Sequence, residues 1–316
     1  MKLSDRPQYD DGGVLLPPQH ARHRHDRKDG WYIEDMDAFH KYFTHMNPKR
    51  SEDEVCLLDE LDVTAVLEYL ERRNRQHPEN KATIFHAVLT AVAKLIYQRP
   101  ALNRFVSGRR FYQRKQLVLS FVAKKRFADD AEEALMMLRP QVGDDINTLT
   151  AKVVGDVRQA RTEADKGEGY GADKALETVG RFPRWLMMLV MWFFRKLDFY
   201  GLFPASFTEV DPNFSTVLLS NLGSIKCPAP YHHLSNFGTC SIMLTIGTIH
   251  KAQRLDALGQ AHVRDVVDFG ITLDERIGDG FYFSKCVRLL QYILDHPETL
   301  QEPVGRPVPE DFQLHG

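Results

Sequence analysis

Two short motifs place a side chain capable of acid–base or hydrogen-bonding chemistry close to a glycine. One is the tetrapeptide Ser220–Gly223, and the other is the segment 273–280, which contains Glu275 and Asp279. A serine hydroxyl can donate a hydrogen bond to a developing oxyanion, and a carboxylate can accept a proton if its site is desolvated. Both motifs also have a structural interpretation, because a polar residue that closes a strand often caps the next turn and Glu275 can be an ion-paired carboxylate.

The hydropathy pattern predicts the elements that must position these motifs. Apolar runs predict strands over 55–61, 117–123, 214–219, 241–249 and 263–273, with a short hairpin over 105–112. Apolar residues at a period of 3.6 predict helices over 63–75, 84–99 and 146–165, and a last helix after Gly280. Because strands and long helices do not alternate strictly, the predicted fold class is α+β, a sandwich rather than a doubly wound sheet.

The order and spacing of the motifs resemble the catalytic domain of 2-oxoacid dehydrogenase acyltransferases and chloramphenicol acetyltransferase. The junction Asp62-Val63-Thr64, the helix that ends before Pro100, the strand that ends in Ser-Asn-Leu-Gly at 220–223 and the apolar strand 241–249 all fit this resemblance. It covers about residues 35 to 300, within the segment 31–300 that we predict as the catalytic domain. It implies a chloramphenicol acetyltransferase-like two-layer sandwich with a mixed β-sheet, coenzyme A as co-substrate, and a site between the subunits of a homotrimer.

The chain departs from the family at one position. Family members carry a histidine, three residues, then Asp-Gly; this chain has Glu275 where the histidine belongs. The resemblance implies that this histidine removes the proton of the attacking thiol or hydroxyl. Ser220 matches the serine that hydrogen-bonds the oxyanion, and Asp279 matches an aspartate that holds the loop through an ion pair. Gly280 is expected to let a helix start tightly against the loop.

Replacing histidine by glutamate changes the energetics of proton transfer. An ordinary glutamate pKa near ~4.3 against a thiol near ~8.5 makes full transfer roughly 6 kcal/mol uphill, and a histidine near ~6.5 about half of that. Glu275 is therefore a base only in a desolvated site, and an inward-pointing Arg276 would oppose it.

Three alternatives follow for the function. The first is an acyltransferase that moves an acyl group from acyl-CoA to a small-molecule acceptor, with Glu275 as base and no metal. The second is a catalytically silent protein that binds or scaffolds. The third is an acyltransferase in which another residue is the base; His232 and His233 are the nearer candidates, and His250 and His262 the weaker ones. No lipoyl-bearing domain precedes the motifs, so we expect a freestanding enzyme.

Basic residues at 109–110, 114–115 and 124–126 could meet CoA phosphates or form a solvated edge.

An insertion over about 172–210 contains ten consecutive apolar residues, Trp185–Phe194, with two of the three tryptophans. Ten residues are too few to span a bilayer, which needs ~20. Three interpretations stay open: burial within the protein or its oligomer, contact with an acyl chain, and peripheral contact with a membrane.

Composition narrows the class of protein. Lys plus Arg (41) nearly balance Asp plus Glu (43), which gives no global reason to expect nucleic acid. The four cysteines form no CxxC pair, so neither a disulfide framework nor a zinc site is expected, and with no signal peptide at Met1 we expect a cytoplasmic protein. Residues 1–30 are predicted to be a flexible polar arm, in which His20, His23 and His25 are a solvated tract, and residues 301–316 an irregular tail.

Overall fold

A six-stranded mixed sheet forms the centre of the fold, beside a three-stranded sheet. In spatial order the large sheet consists of β2 (Glu54–Asp62), β9 (Ala261–Asp274), β8 (Ile242–Leu255), β7 (Val217–Asn221), β5 (Leu119–Lys124) and β6 (Glu133–Leu138). The small sheet consists of β1 (Gly30–Tyr32), β4 (Arg110–Arg114) and β3 (Arg104–Ser107). The computed structural model describes residues 7–16, 23–124, 133–165, 180–256 and 258–309. Pairs β5–β7 and β7–β8 are parallel, and pairs β2–β9, β8–β9 and β5–β6 are antiparallel. This mixture confirms the predicted α+β class.

The strands begin and end close to the predicted positions. They are β1 (Gly30–Tyr32), β2 (Glu54–Asp62), β3 (Arg104–Ser107), β4 (Arg110–Arg114), β5 (Leu119–Lys124), β6 (Glu133–Leu138), β7 (Val217–Asn221), β8 (Ile242–Leu255) and β9 (Ala261–Asp274). Strands β1 and β6 lie outside the predicted set. Strand β7 starts later than predicted because residues Pro212–Phe214 form a turn of 3-10 helix.

The helices cover the large sheet. They are α1 (Ala38–Met46), α2 (Thr64–Gln76), α3 (Ile84–Gln98), α4 (Ile146–Asp165), α5 (Arg184–Tyr200), α6 (Ala205–Thr208) and α7 (Gly280–Asp295). Helix α3 is the most deeply buried, and it ends at Arg99 since the residue before Pro100 disfavours helical geometry. Its Leu89 and Ile96 pack in one core with Leu219 of β7, Phe269 of β9 and Ile293 of α7. Each such side chain contributes about 1.5–3 kcal/mol by burial.

Part of the segment predicted as a flexible arm packs against the folded domain. Leu15 is 3% exposed, and the guanidinium of Arg27, 6% exposed, donates hydrogen bonds to Asp29, Ser107 Oγ and the Asp198 carbonyl. His20 lies outside the described residues. At the other end, Pro297–Gln301 form a 3-10 helix and Val304 and Val308 are buried, so the described part of the tail belongs to the core.

A buried arginine joins the small sheet to the large one. Arg114 of β4 is 3% exposed, and its two terminal nitrogens donate to the carbonyls of Phe214, Ser215 and Thr239 at 2.8–3.0 Å. These carbonyls precede strands β7 and β8, so one side chain fixes where both central strands begin. Burial lowers the pKa of Arg114 to about 10, which still leaves the guanidinium charged at neutral pH.

Helix α5, inside the predicted insertion, exposes apolar side chains instead of burying them. Trp185, Met188, Leu189, Trp192 and Phe193 are between 52% and 68% exposed, and the only buried residue of the helix is Asp198. Of the predicted interpretations, burial within this chain is therefore wrong for these residues. Within the described residues, no helix has the length and hydropathy needed to cross a membrane.

Candidate functional site

The loop after β9 is held by a buried ion pair. Asp274 is fully buried, and Arg276 donates from Nε to Asp274 Oδ1 at 2.7 Å and from Nη2 to Oδ2 at 2.8 Å. Arg276 also donates to the carbonyl of Asn47. The predicted conflict between Arg276 and Glu275 is therefore absent, because the guanidinium is committed to Asp274.

Glu275 lies on the outer side of this loop. Its backbone N–H donates to the Asp53 carbonyl at 2.9 Å, but its exposed carboxylate has no hydrogen-bond or ion-pair partner among the described residues. In the single chain, neither the desolvated base nor the ion-paired structural carboxylate describes this side chain.

Asp279 holds the loop by a different interaction from the one implied by the resemblance. Its Oδ1 accepts a hydrogen bond from the Tyr282 N–H at 2.7 Å, which caps the start of α7. Within the described part of the chain it forms no ion pair. The expectation for Gly280 is also wrong, since a Cβ at this position would meet nothing within 4 Å.

A cavity of about 420 Å³ opens beside Glu275. Its wall is completed by helix α1, which the sequence did not predict; the lining residues are Phe39, His40, Phe43, Asp53, Glu275, Arg276, Gly278 and Asp279. Asp37, the N-cap of α1, accepts from His40 Nδ1 at 2.6 Å. The sequence signal available for this pair was an aspartate three residues before a histidine at a helix start.

Ser220 lines a second and larger cavity, a groove of about 700 Å³ between the end of β7 and helices α3 and α4. The apolar part of its wall consists of Phe85, Phe121, Val153 and Val157. The Ser220 hydroxyl has no hydrogen-bond partner among the described residues. Gly223 of the same motif is required by packing, since a Cβ there would lie 2.2 Å from the Gly247 carbonyl oxygen.

His86, at the start of α3, lines the groove of Ser220, but its ring is suited to donate a hydrogen bond and not to accept a proton. The backbone N–H of Thr83 donates to His86 Nδ1 at 3.1 Å, so in the neutral ring the proton is on Nε2. Burial lowers the pKa of His86 to about 4. This imidazole is therefore neutral at pH 7 and lacks a free lone pair for proton removal.

Strand register keeps Ser220 and Glu275 apart within one chain. Val217, Ile242 and Leu273 lie in one cross-strand row. Ser220 is three residues beyond this row on β7, and Glu275 is two residues beyond it in the opposite direction on antiparallel β9. At ~3.3 Å per residue and ~4.8 Å per strand the separation is about 19 Å. One chain does not bring the two residues together.

The other histidines considered from sequence lie elsewhere. His232 and His233 are exposed, stack on each other at 4.9 Å, and line neither cavity. His250 contacts Glu60 at 3.0 Å, and His262 contacts Asp256 at 2.9 Å near the tip of the β8–β9 hairpin.

Three of the basic residues singled out from sequence, Arg109, Arg110 and Arg114, do not line the Ser220 groove. Arg114 is committed to backbone carbonyls, as described above, and Arg109 and Arg110 line a different cavity. Lys125 and Arg126 lie outside the described residues. Instead Arg158 and Arg161 of α4 line the groove. They were missed because their helix was interpreted only through its apolar face.

Comparison with known proteins defines the class of fold. The chain is similar in structure to a probable dihydrolipoamide acetyltransferase from Listeria monocytogenes 4b F2365, with TM-score 0.55, 14% identity, and coverage of 82% of this chain and 89% of that chain. It is also similar to the cubic core of the pyruvate dehydrogenase multienzyme complex, with TM-score 0.57, 15% identity and coverage of 85% and 93%. An Azotobacter vinelandii dihydrolipoamide acetyltransferase matches with TM-score 0.56, 15% identity and the same coverage.

At this level of identity the likeness shows the fold, which is that of dihydrolipoamide acetyltransferases, as the sequence resemblance implied. No family model and no curated protein sequence matches the chain.

Proposed function

We propose that the protein is a CoA-dependent acyltransferase that moves an acyl group from acyl-CoA to a small-molecule acceptor. The observation that carries this proposal is the groove of about 700 Å³ with the Ser220 hydroxyl on its wall, which has no hydrogen-bond partner among the described residues. Loss of such a hydroxyl donor to an oxyanion typically costs ~2.7–4 kcal/mol of transition-state stabilisation.

The groove has features that suit acyl-CoA. Its apolar wall fits an acyl or pantetheine chain, and Arg158 and Arg161 offer charged donors of the kind that bind phosphate.

We propose that the complete site forms between two copies of the chain, in a homotrimer. The support is the separation of about 19 Å between Ser220 and Glu275, which excludes one compact site within a single chain. In the Azotobacter protein a serine, a histidine and an asparagine were studied for their catalytic roles, the last two with the same spacing as Glu275 and Asp279. The groove of one copy would face the Glu275 cavity of the next.

The test is thiol release from short- and long-chain acyl-CoAs with a panel of hydroxyl, thiol and amine acceptors. Wild-type turnover that falls about 10²-fold or more in Ser220→Ala supports the proposal. Ser224→Ala, a serine on the same groove wall, is the matched comparison. A wild type that is silent with every acceptor, but active as Glu275→His, would instead establish a catalytically silent relative with an intact frame.

Mixing two inactive variants tests the shared site. Ser220→Ala and a variant of the Glu275 cavity, dissociated and reassembled at equal amounts, should regain activity, because about one quarter of the interfaces in a cyclic trimer then pair two intact halves. No recovery, with reassembly verified by native mass spectrometry, would place the whole site in one chain.

The exposed face of α5 supports a second proposal, that the enzyme works at an anionic membrane surface. Arg181, Arg184, Arg195 and Lys196 are all exposed near the apolar patch, and the only acidic residue of the helix, Asp198, is buried. This combination is typical of helices that lie in a bilayer interface. We expect co-sedimentation with vesicles containing phosphatidylglycerol, weaker binding to phosphatidylcholine alone, and loss with Trp185→Glu. Equal recovery in the pellet with and without vesicles would contradict it.

A further inference from the structure

Helix α1 brings an imidazole into the cavity of Glu275. Asp37 Oδ1 accepts from the backbone N–H of His40 at 3.0 Å, and Asp37 Oδ2 contacts His40 Nδ1 at 2.6 Å. His40 itself lines the cavity together with Glu275. The same carboxylate thus caps the helix and holds the ring.

This contact fixes the tautomer of His40. The backbone N–H bond from His40 is the main cause that lowers the pKa of Asp37, which keeps the carboxylate ionised. An ionised carboxylate only accepts hydrogen bonds, so Nδ1 carries the proton and the lone pair of the neutral ring is on Nε2. The His40 side chain is 31% exposed, and Nε2 has no partner among the described residues. His86 has the opposite tautomer, as shown above.

We propose that His40, oriented by Asp37, is the general base that replaces the histidine absent from position 275. The proposal rests on the proposed acyltransferase function and names a catalytic residue for it. His40 Nε2 removes the proton from the acceptor's hydroxyl, thiol or amine as its heteroatom attacks the thioester carbonyl. Ser220 of the neighbouring copy donates to the oxyanion. The new bond to the acyl carbon forms, the C–S bond breaks, and the imidazolium returns the proton to the CoA sulfur.

His40 is better matched to this step than Glu275. For a thiol near ~8.5, an ordinary histidine near ~6.5 makes the proton-transfer equilibrium unfavourable by about 10²-fold, and an ordinary glutamate near ~4.3 by about 10⁴-fold. Asp37 adds the arrangement of carboxylate, imidazole and reacting proton that positions the base in many acyl-transfer enzymes.

Charged groups from three segments surround the His40 ring. Asp37 contacts it from its own helix; Asp53, Glu275, Arg276 and Asp279 line the same cavity from the β2 and β9–α7 segments. Phe111 of β4 packs at 6.4 Å from the ring and carries no charge. The Arg276 guanidinium is held by its bidentate pair with Asp274.

The experiment measures kcat/KM against pH for wild type, His40→Gln and Asp37→Asn, with Ser220→Ala alongside. We expect His40→Gln to lose 10²–10⁴-fold and to lose the acidic limb of the pH profile. Asp37→Asn retains a good N-cap residue, so its expected loss reflects the orientation of the ring and not the helix. His262→Gln removes the ring of another His–Asp pair, far from the cavity, and should leave both the rate and the profile unchanged.

The outcomes separate this inference from the function on which it rests. An active wild type whose His40→Gln variant keeps its rate and its acidic limb overturns His40 as base and leaves the acyltransferase standing. A wild type silent with every acceptor overturns both.

Nitrogen-15 NMR of labelled histidines gives a readout that does not depend on turnover. The neutral His40 ring is expected to carry its proton on Nδ1. The His262 ring, which contacts Asp256 through Nε2, is expected to carry its proton on Nε2. Protonation of neutral His40 at Nε2 would overturn the proposal directly.

Discussion

The attachment of helix α5 involves a buried carboxyl group, Asp198, whose pKa is raised. Burial raises the pKa of Asp198 to about 6, against an ordinary value of 3.8, even though Arg27 lies 3.9 Å away and the Gly238 N–H donates to Oδ2 at 3.1 Å. Between these two pH values the folded protein binds more protons than the unfolded chain. The contribution of Asp198 to the stability of the fold is therefore greatest below pH 4 and decreases as the pH rises through 6.

The difference in pKa sets the size of the effect. About two pH units at ~1.36 kcal/mol per unit correspond to about 3 kcal/mol in total, of which about 2.4 kcal/mol falls between pH 4 and pH 7. Asp198→Asn cannot ionise, so the difference in unfolding free energy between variant and wild type should shift by about 2.4 kcal/mol in favour of the variant over this range. Urea unfolding at both pH values measures this directly, whatever the constant offset that the substitution introduces.

Asp11→Asn makes the same chemical change at an exposed position and is the matched control. The result that would refute this reasoning is a difference in unfolding free energy between Asp198→Asn and wild type that is the same at pH 4 and pH 7 within 0.5 kcal/mol, roughly the size of ordinary surface effects. Asp198 would then not titrate in this range.

Three further predictions concern single side chains. Asp274→Asn removes the nearest anion of the buried Arg276 and Arg50 and should lower the free energy of unfolding in urea by about 3–5 kcal/mol. Lys251→Ala, which breaks an exposed pair with Asp265, should change it by less than about 1 kcal/mol. Equal costs would refute the role of burial. Gly223→Ala should lower Tm because its Cβ would clash with backbone, while Gly280→Ala, which meets nothing, should leave Tm unchanged or slightly higher. Gly238→Ala should also lower Tm, since Gly238 has φ +81° and its Cβ would lie 2.3 Å from the Asn213 carbonyl, and an unchanged Tm would mean that the backbone relaxes freely.

Much of the fold follows from local patterns. Helix α3 has a continuous apolar period and a following proline, and β5 is apolar on both faces, so each could be recognised from its own residues. Strand β1 is only three residues long, and α1 presents Phe39 and Tyr42 to solvent at 68% and 59% exposure. Such elements give little periodic signal, because their position is set by neighbours distant in sequence.

The site was predictable in its motifs and not in its arrangement. Ser220 and Glu275 are visible in the sequence, but their separation depends on the order and direction of β7, β8 and β9, which is non-local information. Burial of Arg27 shows the same limit. A guanidinium in a polar segment looks solvent-exposed until Ser107 and Asp198, 80 and 171 residues away, supply its acceptors.

The buried Arg114 has a consequence for mutational tolerance. Its partners at 214, 215 and 239 are chiefly main-chain carbonyls, which every amino acid supplies, so substitutions at those positions keep three of the contacts. Position 114 has no such freedom. Lysine offers one ammonium instead of a planar fork and cannot reach three carbonyls at once. The starting points of both central strands therefore depend on the side chain of one residue, and on only the backbone of its three partners.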